Sequence, residues 1–383
     1  MSKKIVKHKT ANFTLEPDGF SIHTFELSKK LSATEYYDIK DQLYRQLEQS
    51  GGKPWVYKDG YGNHICVLYT GYGINSIRLE HNRSADTYFL RMVVNPRKLI
   101  DPKSSYIGIL PPEEASIKAL RKAFAKLFKD TVFENDINAY QLTRADLCTN
   151  IRCDNRKLFR ELVRVLRKLP TPPKYERKLY KHKDKKKTNR YNKHYLRFVC
   201  GTHELVIYDK TYQMRECGLV VSYEKLPESV LRFEVHCERE YLRKVEKNSG
   251  QTDTDKLLRQ LIQESEDRMI DHFSRCFSDV KYVQFGEIER IVMQSAFKKE
   301  NKDSMLELAS RLQRAQSVDK ALSKMEKEGC DTAGLLERFN KLGISPIPLW
   351  KNFCAKELPG PAALLKAVSD GELAVEYLKI KQK

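Results

Sequence analysis

Three short segments of the chain carry ionisable side chains at every second position, the spacing that puts them on one face of a β-strand. In 204–212 these are Glu204, Tyr208, Lys210 and Tyr212, set against Leu205 and Ile207. In 142–150, Arg144, Asp146 and Asn150 oppose Ala145 and Leu147. In 231–238, Arg232, Glu234, His236 and Glu238 oppose Leu231, Phe233 and Val235. If the three strands share one sheet, its polar face gathers carboxylates, a histidine, a tyrosine and several cations. Asp146 and Glu234 on neighbouring strands suit a hard divalent cation bound through oxygen, with His236 as a third ligand. Such a metal polarises a phosphodiester, and Tyr208 attacks the phosphorus to leave a phosphotyrosyl ester. Lys210 would offset charge on the phenolate or the pentavalent transition state. In an extended strand Tyr212 lies about 13 Å from Tyr208 on the same face, as a second nucleophile. Plainer roles also fit the pattern: Asp146 pairing only with Arg144 or Arg232, Tyr208 as a sheet aromatic, His236 as a surface residue.

Other elements must hold these strands. Residues 1–18 read as a basic lead-in, followed by an alternating strand from Gly19 to Leu27. Ser32 begins a helix to about Gln49, with Glu35 completing a capping box and Gly51-Gly52 closing it. The stretches 55–58, 64–69, 77–81 and 88–94 form an antiparallel meander. Helices follow at 113–127 and 155–169, the second stopped by Pro170, Pro172 and Pro173. Beyond the 231–238 strand the period becomes helical. Leu257, Leu258, Leu261, Ile262 and Met269 mark one long helix, and Met305, Leu308 and Leu312 another. Residues 318–328 and 333–342, joined across Gly329 and closed by Gly343, make a helix–turn–helix. The whole reads as α+β: a catalytic region, 1–250, with a basic insertion at 170–194, then a helical region, 251–383.

Composition limits the partners. With 383 residues and a net charge of +19, the protein should bind a polyanion, nucleic acid by default. Residues 174–193 alone hold ten Lys and Arg against Glu176 and Asp184, interleaved with Tyr175, Tyr180 and Tyr191. There Lys178, Lys181, Lys183, Lys185, Lys186, Lys187 and Arg190 would neutralise phosphates while the rings stack on unpaired bases. Arg144 and Arg232, on the polar face, would add DNA contacts. Nine scattered cysteines give neither a disulfide framework nor a zinc pattern, which points to a reducing compartment, the cytoplasm. No apolar run suits a membrane span, the first residues lack the apolar stretch of a signal peptide, and no GxxxxGK loop argues for nucleotide hydrolysis.

The segments 143–147, 205–210 and 231–235 resemble three sequence blocks of rolling-circle replication initiators. The likeness is greatest to the replication nickases of filamentous bacteriophages, with trans-replication plasmid initiators behind them. Residues 90–99, a strand running into an Asn95-Pro96 turn, and the stretches 327–331 and 342–344 add to it. The resemblance implies an HUH-like nuclease palm and an Mg²⁺- or Mn²⁺-dependent nickase acting on origin DNA, both single-stranded and supercoiled. It implies that Tyr208 is the nucleophile, Lys210 a shared lysine, and Asp146 and Glu234 the paired acidic positions. It also implies a bacterial host cytoplasm, with host helicase and single-strand-binding protein as partners. Two departures stand out: Gln213 where relatives often carry glutamate, and Arg91 or Val93 where they carry glutamate before the proline turn. Two other readings compete, a non-enzymatic origin-binding or repressor protein and an RNA-binding protein with an aromatic sheet.

Overall fold

The alternation in the sequence is realised in one large antiparallel sheet. The computed structural model describes residues 5–49, 57–58, 64–181, 183–219, 229–351, 353, 355–371 and 373–380. In chain order the strands are β1 (Ile5–Leu31), β2 (Tyr57–Lys58), β3 (His64–Cys66), β4 (Ile74–Asn82), β5 (Thr87–Val94) and β6 (Gln141–Cys153). They continue with β7 (Glu176–Lys178), β8 (Tyr195–Val199), β9 (His203–Asp209), β10 (Val230–Glu238), β11 (Lys281–Val283), β12 (Glu357–Pro359) and β13 (Leu373–Ile380). The sheet runs β2-β3-β4-β5-β1-β6-β10-β9-β8-β7, with β13 also pairing β1.

Strand β1 is the spine. One edge pairs first with β13 and then with β5, while the other follows β6. Register shifts between Leu15 and Phe20 and between Ile22 and Thr24 let so long a strand bend with the twist of the sheet. Gly19 sits in the first shift with φ +64°, a backbone conformation that costs glycine little. The 1–18 lead-in is therefore corrected: the strand begins at Ile5, because β13 supplies it with a partner that sequence alone does not reveal.

The apolar face is covered by helices. Thr254–Gln263 and Ser265–Cys276 pack on β1 and β6, and Phe233 of β10 meets Phe273 edge-on at 5.2 Å. The single long helix expected at 257–269 is thus two, broken at Glu264. Most buried apolar residues form one continuous cluster from Ala11 to Val368, so the C-terminal helices share the core of the sheet, while Ile107, Met214 and Val230 form a small second cluster. The capping box is present: the Glu35 carboxylate accepts from the Ser32 backbone N–H at 2.7 Å, and Ser32 Oγ accepts from the Glu35 N–H at 3.2 Å. Asn155 caps Arg156–Leu166 in the same sense. Gly51, Gly52 and Trp55 lie outside the described residues. No helix among the described residues is long and apolar enough to cross a membrane.

Candidate active site on the polar face of the sheet

Strand β10 lies between β6 and β9, and its register stacks the ionisable residues in rows. Arg232 stands opposite Asn150 on one side and Tyr208 on the other. His236 stands opposite Asp146 and Glu204, and Glu234 lies between these rows. One face therefore collects Tyr208, Arg232, Glu234, His236, Asp146 and Glu204.

The hydrogen bonds form a chain from Tyr208 to Arg197, with Asp146 and Arg232 held beside it by partners of their own. The Tyr208 hydroxyl donates to Glu234 Oε1 at 2.8 Å, and Glu234 Oε2 lies 3.0 Å from His236 Nε2. His236 Nδ1 lies 3.1 Å from Glu204 Oε2, and Arg197 clamps Glu204 with two bonds of 2.9 and 2.6 Å. Arg144 holds Asp146 with two bonds of 2.9 and 2.8 Å, and Thr24 donates to the same carboxylate. Arg232 is 0% exposed; it donates to Asn150 at 2.7 Å and to the Ile107 carbonyl, with Nη1 3.7 Å from Glu234 Oε1.

Burial and neighbouring charge set the protonation states. Burial would lower the His236 pKa, but Asp146, Glu204 and Glu234 outweigh it and hold the imidazole up at about 10. Burial would raise Glu234, yet hydrogen bonding and charge from His236, with His23 and Arg232, keep it well below the usual carboxylate range. Glu204 is pulled down to about 2 by His236 and Arg197, against its own burial. Tyr208 is 4% exposed, and burial followed by the Glu234 charge raises its phenol well above 10. Lys210 is 2% exposed, and burial followed by Arg232 lowers its amine to about 7. Its Nζ lies 5.8 Å from the Tyr208 ring centroid and donates to Gln213 Oε1 at 2.9 Å. Gln213, a departure from the initiator pattern, is thus the side chain that receives the amine.

Two expectations change. Strand β9 ends at Asp209, whose carboxylate caps the helix Lys210–Glu216 by accepting from the Tyr212 N–H at 2.8 Å. Tyr212 therefore leaves the row of Tyr208 and stacks on His194, ring centroids 3.8 Å apart. Arg232, expected on DNA, is enclosed among Asn150, Ile107 and Glu234 instead. Arg144 is committed to Asp146.

The basic insertion is built, not a bare loop: β7 leads to the helix Lys185–Tyr191, capped by Asp184. Lys178, Lys181, Lys183, Lys185, Lys186, Lys187 and Arg190 are all exposed. Rings connect it to the site, Tyr180 to Tyr191 at 4.2 Å, Tyr191 to Tyr195 at 5.4 Å, and Tyr195 to Tyr208 at 6.1 Å.

Comparison with known proteins adds one likeness. The chain is similar to a rolling circle replication initiator protein from Geobacillus stearothermophilus. The two are 11% identical with a TM-score of 0.29, over 67% of this chain and 86% of that one. At this TM-score the likeness carries neither a fold nor a residue role across. No protein-family model and no curated protein matches the sequence.

Asp146, Glu234 and His236 do come to one face, but as arranged they do not fit an Mg²⁺ or Mn²⁺ ion. Both Asp146 oxygens are held by Arg144 and Thr24, and both Glu234 oxygens by Tyr208 and His236. His236 faces a carboxylate through each nitrogen, so as the imidazolium it has no lone pair to offer a metal. Among the described residues no group of three or more His, Cys, Asp or Glu is placed to hold a metal ion.

Three participants were not assigned roles from the sequence. Glu204 shows in the alternation, but its partner Arg197 lies on another strand. Asn150 shows likewise, while its partner, the Ile107 carbonyl, comes from an irregular segment. His23 falls in the β1 register shift, out of period, with Nδ1 3.7 Å from Glu234 Oε1.

Proposed function

We propose that this chain cuts and rejoins a DNA strand by transesterification, with Tyr208 as the nucleophile, as a rolling-circle initiator does at a replication origin. The observation that carries the reading is the Tyr208 hydroxyl hydrogen-bonded to a buried carboxylate, with a buried arginine and a depressed lysine beside it. In this reaction the Tyr208 oxygen forms a bond to phosphorus, and the bond from phosphorus to the 3′-oxygen breaks. The phenolic proton passes to Glu234, and the leaving 3′-oxygen takes a proton from solvent. An entering phosphate brings negative charge beside Glu234, which raises its affinity for that proton. Arg232 Nη1 has no hydrogen-bond partner among the described residues and stabilises the developing negative charge. Lys210, its amine lowered to about 7 by burial and Arg232, is a second group beside the Tyr208 ring able to exchange a proton. The phosphotyrosyl ester conserves the bond energy, so rejoining needs no ATP.

Resting Tyr208 is sealed. Residues 101–110 cross the polar face, and Ile107 packs with Met214 and Val230 while its carbonyl takes Arg232 and Asn150. Access for a strand requires this segment to move. That burial favours a second reading, in which the network only stiffens the sheet of a non-enzymatic DNA-binding protein. A cleavage assay quenched in SDS separates the two. Tyr208→Phe abolishes nicking and the covalent protein–DNA adduct under the first reading, while under the second no adduct forms with any variant.

A further inference from the structure

Away from the polar face, Arg164, Arg167, Lys168, Arg314 and Lys351 line a cleft of about 360 Å³ with Trp350 at its wall. Among the described residues lining it, none is acidic. Arg164 and Arg167 also line a second depression, of about 200 Å³, that reaches Lys193, His194 and Asp209. On the other side, Gln313, Arg314 and Ala315 pass into a third, of about 540 Å³, which ends at Lys320 and Lys324. Shared walls make the three one furrow. Its near end lies beside the last residue of β9, one position from Tyr208.

The cleft is held in place by one ion pair, while Arg167, Lys168, Arg314 and Lys351 have no acidic partner among the described residues. Glu161 carries Arg164 on two bonds of 2.8 and 2.7 Å and accepts from the Trp350 N–H at 2.7 Å. Arg164 also donates to the Pro348 carbonyl at 2.7 Å, so the backbone of 348–350, through the Trp350 amide that Glu161 accepts, is fixed to the helix Arg156–Leu166. Arg167 Nε is buried without a hydrogen-bond partner, and Lys168 donates only to the carbonyls of Leu312 and Gln313. Burial, then repulsion from Arg164 and Arg167, lowers Lys168 to about 8. Cations crowded this way repel one another until an anion enters. Trp350 is 63% exposed, with the Arg164 guanidinium 5.9 Å from its ring centroid. A large exposed indole in a cleft whose other cations, Arg167, Arg314 and Lys351, have no acidic partner among the described residues offers a face to a base and charge to the phosphates on either side of it.

The geometry points to this furrow as a binding track for single-stranded nucleic acid, with a base stacked on Trp350 and the backbone led toward the end of β9. That the bound strand flanks the scissile phosphodiester rests on the function proposed above; the track itself does not.

The test is fluorescence anisotropy of labelled dT20 titrated with the full chain over a range of salt, with thermal melts to confirm folding. Trp350→Ala is expected to weaken binding about 5- to 150-fold, the range for loss of one stacked base. Arg314→Glu with Lys351→Glu is expected to lower the log–log salt slope by about 1.4, two phosphate contacts on a single strand. Lys118→Glu with Lys122→Glu makes the same charge change on the helix Glu114–Phe128, outside the furrow, and is expected to leave binding within about twofold. Wild-type affinity in Trp350→Ala, or equal losses in the two charge-reversed pairs, would overturn the proposal. So would an acidic phosphopeptide competing as well as dT20 and indifferent to Trp350→Ala. Because no cleavage is read, absence of nicking leaves this result intact and counts against the proposed function alone.

Discussion

The polar face of the sheet and the basic furrow beside it treat charge in opposite ways. On the face, each carboxylate oxygen of Asp146, Glu234 and Glu204 has a donor, and Arg232 is enclosed at 0% exposure. In the Trp350 cleft of the furrow, five cations stand together with no acid among the lining residues described, and Glu161 behind it pairs with Arg164 alone. A buried charge is tolerated when a partner offsets its lost hydration, whereas exposed unpaired cations retain free energy that an arriving polyanion releases. The first arrangement fixes side chains, which the proposed cleavage would use; the second leaves charge that the proposed strand would match.

Breaking the compensated region should cost most. Arg232→Met removes the cation between Asn150, the Ile107 carbonyl and Glu234, and is expected to destabilise the fold by about 3–5 kcal/mol in denaturant unfolding. A loss within experimental error would show that the network is not compensated as described. The uncompensated surface should instead tolerate removal of charge. Lys185→Gln with Lys186→Gln and Lys187→Gln is expected to leave stability unchanged and lower the salt slope of single-strand binding by about 2. An unchanged slope would take the insertion off the strand.

The contrast also has a pH signature. Lys168 has its folded pKa at about 8, below the usual lysine value of 10.5, so the unfolded chain holds the proton more tightly. Its burial penalty is present below pH 8 and is relieved as pH rises from 8 toward 10.5. The unfolding free energy of wild type minus that of Lys168→Met should therefore rise through that window, by on the order of 1–3 kcal/mol. A flat difference would show that the amine is not penalised. The smallest expected effect comes from metal. With the carboxylates engaged, millimolar Mg²⁺ at constant ionic strength should leave Tm of the protein without DNA unchanged to within about 1 °C. A saturable rise would show that the carboxylates exchange their present partners for the ion.

What the sequence revealed followed a simple physical division. Period-two alternation located β6, β9 and β10 and the shared face of Asp146, Tyr208, Glu234 and His236, because one buried face fixes strand register. The Ser32 cap was legible because its signal is local. What failed to show was non-local or out of period. The first half of β1 depends on β13, more than 350 residues away in sequence. His23 lies where register shifts, and the helical turn after Asp209 takes Tyr212 off the face although its alternation continues. The furrow joins Arg164 to Trp350 across the chain, and no window of sequence holds both. Arg232 looked like a phosphate ligand because alternation gives a face but not what covers it.

The central claim is tested most directly by incubating wild type and Tyr208→Phe with the cognate supercoiled replicon and single-stranded origin DNA, then quenching in SDS. The account predicts nicked circles and a covalent adduct with wild type, neither with Tyr208→Phe, and Tyr212→Phe close to wild type. An adduct that persists in Tyr208→Phe, or one lost only in Tyr212→Phe, would contradict it.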